Sequence, residues 1–153
     1  MSKRSVSFFE FEQVTQELSG QQVWRSRAGS GTGSIFTMEF RPTLKTDKPQ
    51  SEFSLMVYCA WRIVEAGRII CTWHEDADNN IAPALKTLEG TPVTKAILTE
   101  WGDLTIDFLN GRSLHVWNDA PFKDGDSWFV GYSGLGYYSV STRNAFFYEL
   151  EDY

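Results

Sequence analysis

The run Leu55-Met56-Val57-Tyr58-Cys59-Ala60-Trp61-Arg62-Ile63-Val64-Glu65-Ala66-Gly67-Arg68-Ile69-Ile70-Cys71-Thr72-Trp73 decides the fold. Leu55, Val57, Cys59, Trp61 and Ile63 occupy odd positions, and Ile69, Cys71 and Trp73 continue the odd set beyond Ala66-Gly67. A period of two is that of a strand with one buried face, and the Ala-Gly break makes the run a hairpin. Bringing both odd sets to one face requires an odd-numbered loop around Glu65, Ala66 and Gly67, which puts Trp61 opposite Cys71 and Cys59 opposite Trp73. The two cysteines are then only diagonal, too oblique for a relaxed disulfide, and stay free. Trp61 and Trp73 are expected to fill the core.

The same reasoning extends outward. Leu104, Ile106 and Phe108 must join Leu114 and Val116, which again demands an odd loop at Asn110-Gly111, such as a type I turn with a glycine bulge. Thr105, Asp107, Ser113, His115 and Trp117 collect on the opposite face. Further strands are predicted over 22–28, 34–41, 52–64, 68–74, 93–101, 103–109, 113–118, 127–132, 136–142 and 145–150. A helix starts at Ser7, three residues before Glu10 as in a capping box, with Val6 and Phe11 as a hydrophobic staple. Phe8, Phe11, Val14 and Leu18 give it one apolar face, and Gly20 ends it. A shorter helix is predicted over 81–89, capped by Asn80, with Leu85 and Leu88 inward and Gly90 as stop. Arg41 to Gln50, with Pro42, Pro49 and Asp47, reads as a solvated loop. These elements define an α+β fold that is predominantly antiparallel β, a curled meander or partly closed barrel with an N-terminal helix and one short internal helix.

Composition bounds the rest. The chain has 153 residues, a formal net charge of −6, 42% hydrophobic and 15% aromatic residues. That length, without repeat or linker, implies a single domain over 1–153 with a core large enough to fold unaided. The acidic balance argues against nucleic acid, whose phosphates need clustered Lys and Arg. No apolar run is long enough to span a membrane, Met1-Ser2-Lys3-Arg4 leads to Glu10 and Glu12 rather than a signal core, and the two cysteines suit reduced thiols. A cytoplasmic protein is expected.

Chemical motifs are weak. Gly29-Ser30-Gly31-Thr32-Gly33-Ser34 lacks the lysine of a phosphate-binding loop and leads into a strand, so it reads as a turn. His74-Glu75-Asp76-Ala77-Asp78-Asn79-Asn80 is rich in oxygen ligands but lacks the glycine and closing glutamate of a calcium loop and any zinc spacing, so no metal or cofactor is expected. It reads as a polar entry to the second helix, with Glu75, Asp76 and Asp78 as an acidic edge for a partner. Asp107 and His115 share a face and could place a carboxylate beside an imidazole, with Ser113 nearby; without a nucleophile-elbow motif a surface ion pair is the better reading. Trp117 falls on the polar face as an interface anchor, and Tyr137 and Tyr138 beside Gly134 and Gly136 are candidate contacts.

Gly31-Thr32-Gly33-Ser34-Ile35-Phe36, Cys59-Ala60-Trp61-Arg62-Ile63, Leu85-Lys86-Thr87-Leu88-Glu89-Gly90, Leu104-Thr105-Ile106-Asp107-Phe108 and Asn110-Gly111-Arg112-Ser113-Leu114 together resemble small bacterial domains associated with polymorphic toxin systems, of the immunity-protein type. The resemblance covers residues 29–130 and implies a non-enzymatic protein that neutralises a toxin, with no catalytic residues. The leading expectation is therefore a protein-binding module, its partner a basic toxin domain met by acidic loops around Asp76 and at Glu149, Glu151 and Asp152 and by exposed aromatics. One alternative is a small-molecule-binding domain or small enzyme with an aromatic-lined cavity and His115, Asp107 or His74 at its mouth. Another is a homodimeric structural or adaptor subunit joined along a strand edge.

Overall fold

The computed structural model describes residues 3–29, 31, 33–42, 53–119, 126–132 and 135–150. In chain order the described elements are β1 (Arg4–Ser5), α1 (Phe8–Gln16), β2 (Gln21–Arg27), β3 (Phe36–Pro42), β4 (Phe53–Val57), β5 (Trp61–Glu65), β6 (Arg68–Thr72), a π-helical turn (Ala77–Ile81), α2 (Ala82–Lys86), β7 (Val93–Leu98), β8 (Leu104–Phe108), β9 (Arg112–Val116), β10 (Asp126–Tyr132), β11 (Gly136–Ser141) and β12 (Phe146–Leu150). The strands form a seven-stranded sheet in the order β1-β12-β11-β10-β4-β3-β2 and a five-stranded sheet in the order β6-β5-β9-β8-β7. All pairings are antiparallel. The sheets do not close into a barrel. They share one apolar core, and a bridge from Gln22 to Pro92 joins them where β2 passes the start of β7.

The predicted strand over 52–64 is two strands. Phe53, Leu55, Val57, Cys59, Trp61 and Ile63 are all buried, so the period of two runs unbroken through it. Yet the backbone changes sheet at Tyr58-Cys59-Ala60: Tyr58 N–H still donates to Ser127 O at 2.8 Å, while Ala60 O already accepts from Trp117 N–H at 3.0 Å. Such a corner lets one inward-facing set serve two packed sheets.

The first hairpin also differs from its predicted register. Glu65 pairs with Arg68 across the two-residue turn Ala66-Gly67, with φ of 50° and 78°, the primed turn that matches strand twist. Parity is restored one step later by a bulge: Val64 faces Ile69 but Ile63 faces Cys71, leaving Ile70 as the extra residue. Within this hairpin Ile63, not Trp61, therefore lies opposite Cys71, and Trp61 O accepts from Trp73 N–H at 3.1 Å. Ile69 is 58% exposed and Trp73 38% exposed, so neither is core. Ala66 holds a left-handed conformation that costs an L-residue about 1–2 kcal/mol. Ala66→Asn, which tolerates that region and makes Asn-Gly, is expected to raise the urea midpoint by an amount equivalent to about 1 kcal/mol.

The second hairpin keeps its predicted odd loop. Asp107 faces Ser113 and Ile106 faces Leu114, so Leu109-Asn110-Gly111 closes it, with Gly111 at φ 89°. Cys59 and Cys71 are buried and free.

Helix α1 is capped as its sequence implies, Glu10 N–H donating to Ser7 Oγ at 3.1 Å. The Glu10 carboxylate does not complete the capping box. It instead accepts from Arg4 and from the Tyr138 hydroxyl, both at 2.9 Å. Phe11 packs edge-on against Trp128 and Tyr138 at 5.4 and 5.6 Å, seating the helix on the inner face of β10 and β11. The second helical segment starts earlier than 81 and is capped by Asp76, not Asn80: Asp76 Oδ2 accepts from the N–H groups of Asp78 and Asn79. Leu85 and Leu88 are buried as expected.

One turn ties the sheets together. Between β7 and β8, three successive carbonyls each accept from a side-chain N–H outside the turn. Asn144 Nδ2 reaches Glu100 O at 3.2 Å, Asn118 Nδ2 reaches Trp101 O at 2.9 Å, and Trp128 Nε1 reaches Gly102 O at 2.8 Å.

Candidate functional site

The outer face of the five-stranded sheet gathers most of the polar chemistry. Even positions of β5 and odd positions of β8 and β9 point away from the core because Trp61, Ile63, Leu104, Ile106, Leu114 and Val116 take the inward places. Arg62 pairs with Thr72 on one side and His115 on the other, and His115 with Thr105. Arg62 Nε donates to His115 Nδ1 at 3.2 Å, and the guanidinium carbon stands 4.8 Å from the Trp117 ring centroid. Trp117 also meets the imidazole edge-on at 6.4 Å.

This arrangement sets the state of the histidine. Burial, then the Arg62 charge, hold its pKa below the ordinary 6.5, with Asp107 opposing them. The imidazole is therefore neutral at pH 7 and, accepting at Nδ1, carries its proton on Nε2. No ion pair joins Asp107 to His115, correcting that expectation. His115 faces Thr105, and Asp107 accepts from Ser113 Oγ at 2.6 Å. A hydroxyl donating to a carboxylate, with the imidazole turned to an arginine, is not the relay a nucleophile requires.

Trp101 belongs to the same end of the sheet. Its turn is bonded to Asn118, the neighbour of Trp117, through both the Trp101 carbonyl and the Asp103 carboxylate, which accepts from Asn118 N–H at 2.7 Å. The Trp101 side chain is 65% exposed.

The other expected contacts scatter. Glu75 accepts from Thr72 N–H at 2.8 Å and Asn80 Nδ2 at 2.9 Å, and Asp76 caps the π-helical turn, so both are engaged with the chain's own groups. Asp78 is exposed on that turn. Tyr137 lies on the outer face of the seven-stranded sheet, 5.3 Å from Phe129. Tyr138 is on the inner side against Phe11, bonded to Glu10, which corrects its reading as a surface contact. Glu151 and Asp152, most of the loop Arg41 to Gln50, and Gly134 lie outside the described residues. Arg62 and Trp101 were not singled out from sequence. Their signals were an outward arginine one residue from a core tryptophan, and a Trp-Gly pair between two strands.

The interior is filled where an aromatic hollow would have been. Trp61 is fully buried, donates from Nε1 to Ser34 O at 2.8 Å and meets Phe36 edge-on at 5.0 Å. A cleft of about 240 Å³ is lined by Ser34, Tyr58, Cys59, Ala60, Trp73 and Asp119, and one of about 300 Å³ by Arg27, Ala28, Gly29, Ile35, Phe36, Thr37 and Met56. Neither histidine borders them. Burial pushes the Cys59 thiol up to about 12, so at neutral pH it is a thiol rather than a nucleophilic thiolate. Among the described residues, no group of three or more His, Cys, Asp or Glu could hold a metal ion, and no helix is long and apolar enough to cross a membrane. Compared with family models, curated proteins and solved structures, the chain matches none.

Proposed function

We propose that the chain is a non-enzymatic protein-binding module that docks through the Trp101–Trp117 end of its five-stranded sheet. The observation that supports this most is the Trp101 indole, 65% exposed on a turn whose three carbonyls are all held from outside. An exposed tryptophan on fixed backbone loses little freedom on binding and is the residue type most often found as an interface hot spot. The net charge of −6 favours a basic partner at long range. The resemblance of the strand-and-turn segments to immunity-type domains supports a toxin as that partner, held in an inactive complex in the cytoplasm.

The test is capture from lysate of the source cells by three tagged baits. Wild type and Leu150→Ala, a change at an exposed site on the other sheet, should retain the same protein. Trp101→Ala should bind it about 30-fold or more weakly, the loss expected of a hot spot. Equal capture by wild type and Trp101→Ala would remove this surface from the account.

A further inference from the structure

We propose that Arg62 is a carboxylate receptor: an aspartate or glutamate side chain of the partner docks on its two terminal amino groups, beside Trp117 and His115. The proposal deepens the docking reading above and rests on it for the source of the carboxylate.

The guanidinium is already in place. An arginine has five N–H donors, and here Nε–H is taken by His115 Nδ1 at 3.2 Å while the Trp117 ring, 4.8 Å away, covers one face. The four N–H bonds of the terminal amino groups have no partner among the described residues. Two of them form the planar fork that fits both oxygens of a carboxylate.

Among the 11 described basic residues Arg62 is one of seven with no carboxylate within ion-pair distance, and it is the one whose guanidinium is held by both an imidazole and an indole. With 20 acidic residues against 14 basic ones, carboxylates are plentiful, and Lys3, Arg4, Arg25 and Arg112 each have one within 3.8 Å. Arg62 has none within ion-pair distance among the described residues. The acid nearest in register, Asp107, takes its hydrogen bond from Ser113 instead. His115, having given its Nδ1 lone pair to Arg62, keeps an Nε2–H donor on the same face. Positive charge, spare donors and an indole wall are thus set together on an open sheet, inside a protein whose overall field repels anions. Such a site selects a single carboxylate embedded in an otherwise basic surface, since an acidic surface would be turned away at long range.

The test uses the full chain labelled with nitrogen-15, with sodium acetate as probe and sodium chloride at matched ionic strength as control. Acetate should move the Arg62 Nε–H and Trp117 Nε1–H resonances to saturation, with a millimolar dissociation constant, and chloride should not. Arg62→Lys, which keeps the charge but not the fork, should bind acetate about tenfold more weakly, and Arg62→Gln should not respond. The unchanged remainder of each variant's amide spectrum reports that the fold is intact. Absence of saturation, an equal response in Arg62→Gln, or tighter binding of inorganic phosphate than acetate would each overturn the proposal. If acetate fails while Trp101→Ala still loses the partner, the receptor falls and the docking surface stands. If acetate binds while Trp101→Ala captures normally, the docking surface falls and the receptor stands.

Discussion

Changing Trp128 to alanine is expected to lower the stability of the fold by about 3–5 kcal/mol, the range for emptying a fully buried large aromatic site. The indole has no exposed surface and meets Phe11 edge-on at 5.4 Å, so its loss removes the seat of α1 as well as filling of the core. It also silences the donor that satisfies Gly102 O at 2.8 Å, leaving a buried carbonyl unpaired. Urea unfolding followed by tryptophan fluorescence and circular dichroism together would measure this. A shift below about 1 kcal/mol would mean that the site collapses around the gap. Trp128→Phe should recover much of the packing but not the hydrogen bond.

The second large effect is expected at the other end of that hydrogen bond. Gly102 holds φ at 87°, and a Cβ built there would lie 2.6 Å from Val140 Cγ1 and 2.8 Å from Asn118 Nδ2. Gly102→Ala therefore combines left-handed strain of about 1–2 kcal/mol with overpacking of about 1–3 kcal/mol. The clash falls on two groups that cannot easily yield. Val140 is fully buried, and Asn118 is bonded to the Trp101 carbonyl. Differential scanning calorimetry should show a clearly lower midpoint for Gly102→Ala. Because Trp128 donates to Gly102 itself, the double variant should cost less than the sum of the two single changes. Simple additivity would mean that the hydrogen bond contributes nothing beyond the packing on either side.

Much of the fold was legible because the burial period is written directly in residue type. The inward residues of β4, β5, β8 and β9, the cap at Ser7 and the odd loop at Leu109-Asn110-Gly111 all follow from local rules. The corner at Tyr58-Cys59-Ala60 was not legible, since a strand that changes sheet while keeping its inward face has the same alternation as one that does not. The first hairpin misled for a related reason. Parity can be restored by an odd loop or by an even turn plus a bulge, and nothing in Ile69-Ile70-Cys71 distinguishes them locally. That one ambiguity moved Ile69, on the turn side of the bulge, from the expected inward set to an exposed site, whereas Trp73 is half-exposed because it follows the last residue of β6.

The candidate face was half legible. Parity correctly set His115 and Trp117 on the polar side, but an inter-strand neighbour had to supply Arg62, and strand order cannot be read from one chain. Tyr138 was misplaced because Gly136 and the two following tyrosines alternate in either phase. Only the register with Val130 turns it toward Glu10. The acids at Glu75 and Asp76 looked free in sequence because their acceptors' use depends on backbone geometry that begins three residues later.

The stretch from Phe53 to Glu65 is a single rail on which both halves of the molecule run. The corner at Tyr58-Cys59-Ala60 is bonded to both sheets, so loosening β4 from β10 is expected to disturb the pairing of β5 with β9. The two halves, sharing one core and this rail, should accordingly melt and exchange their amides as one body.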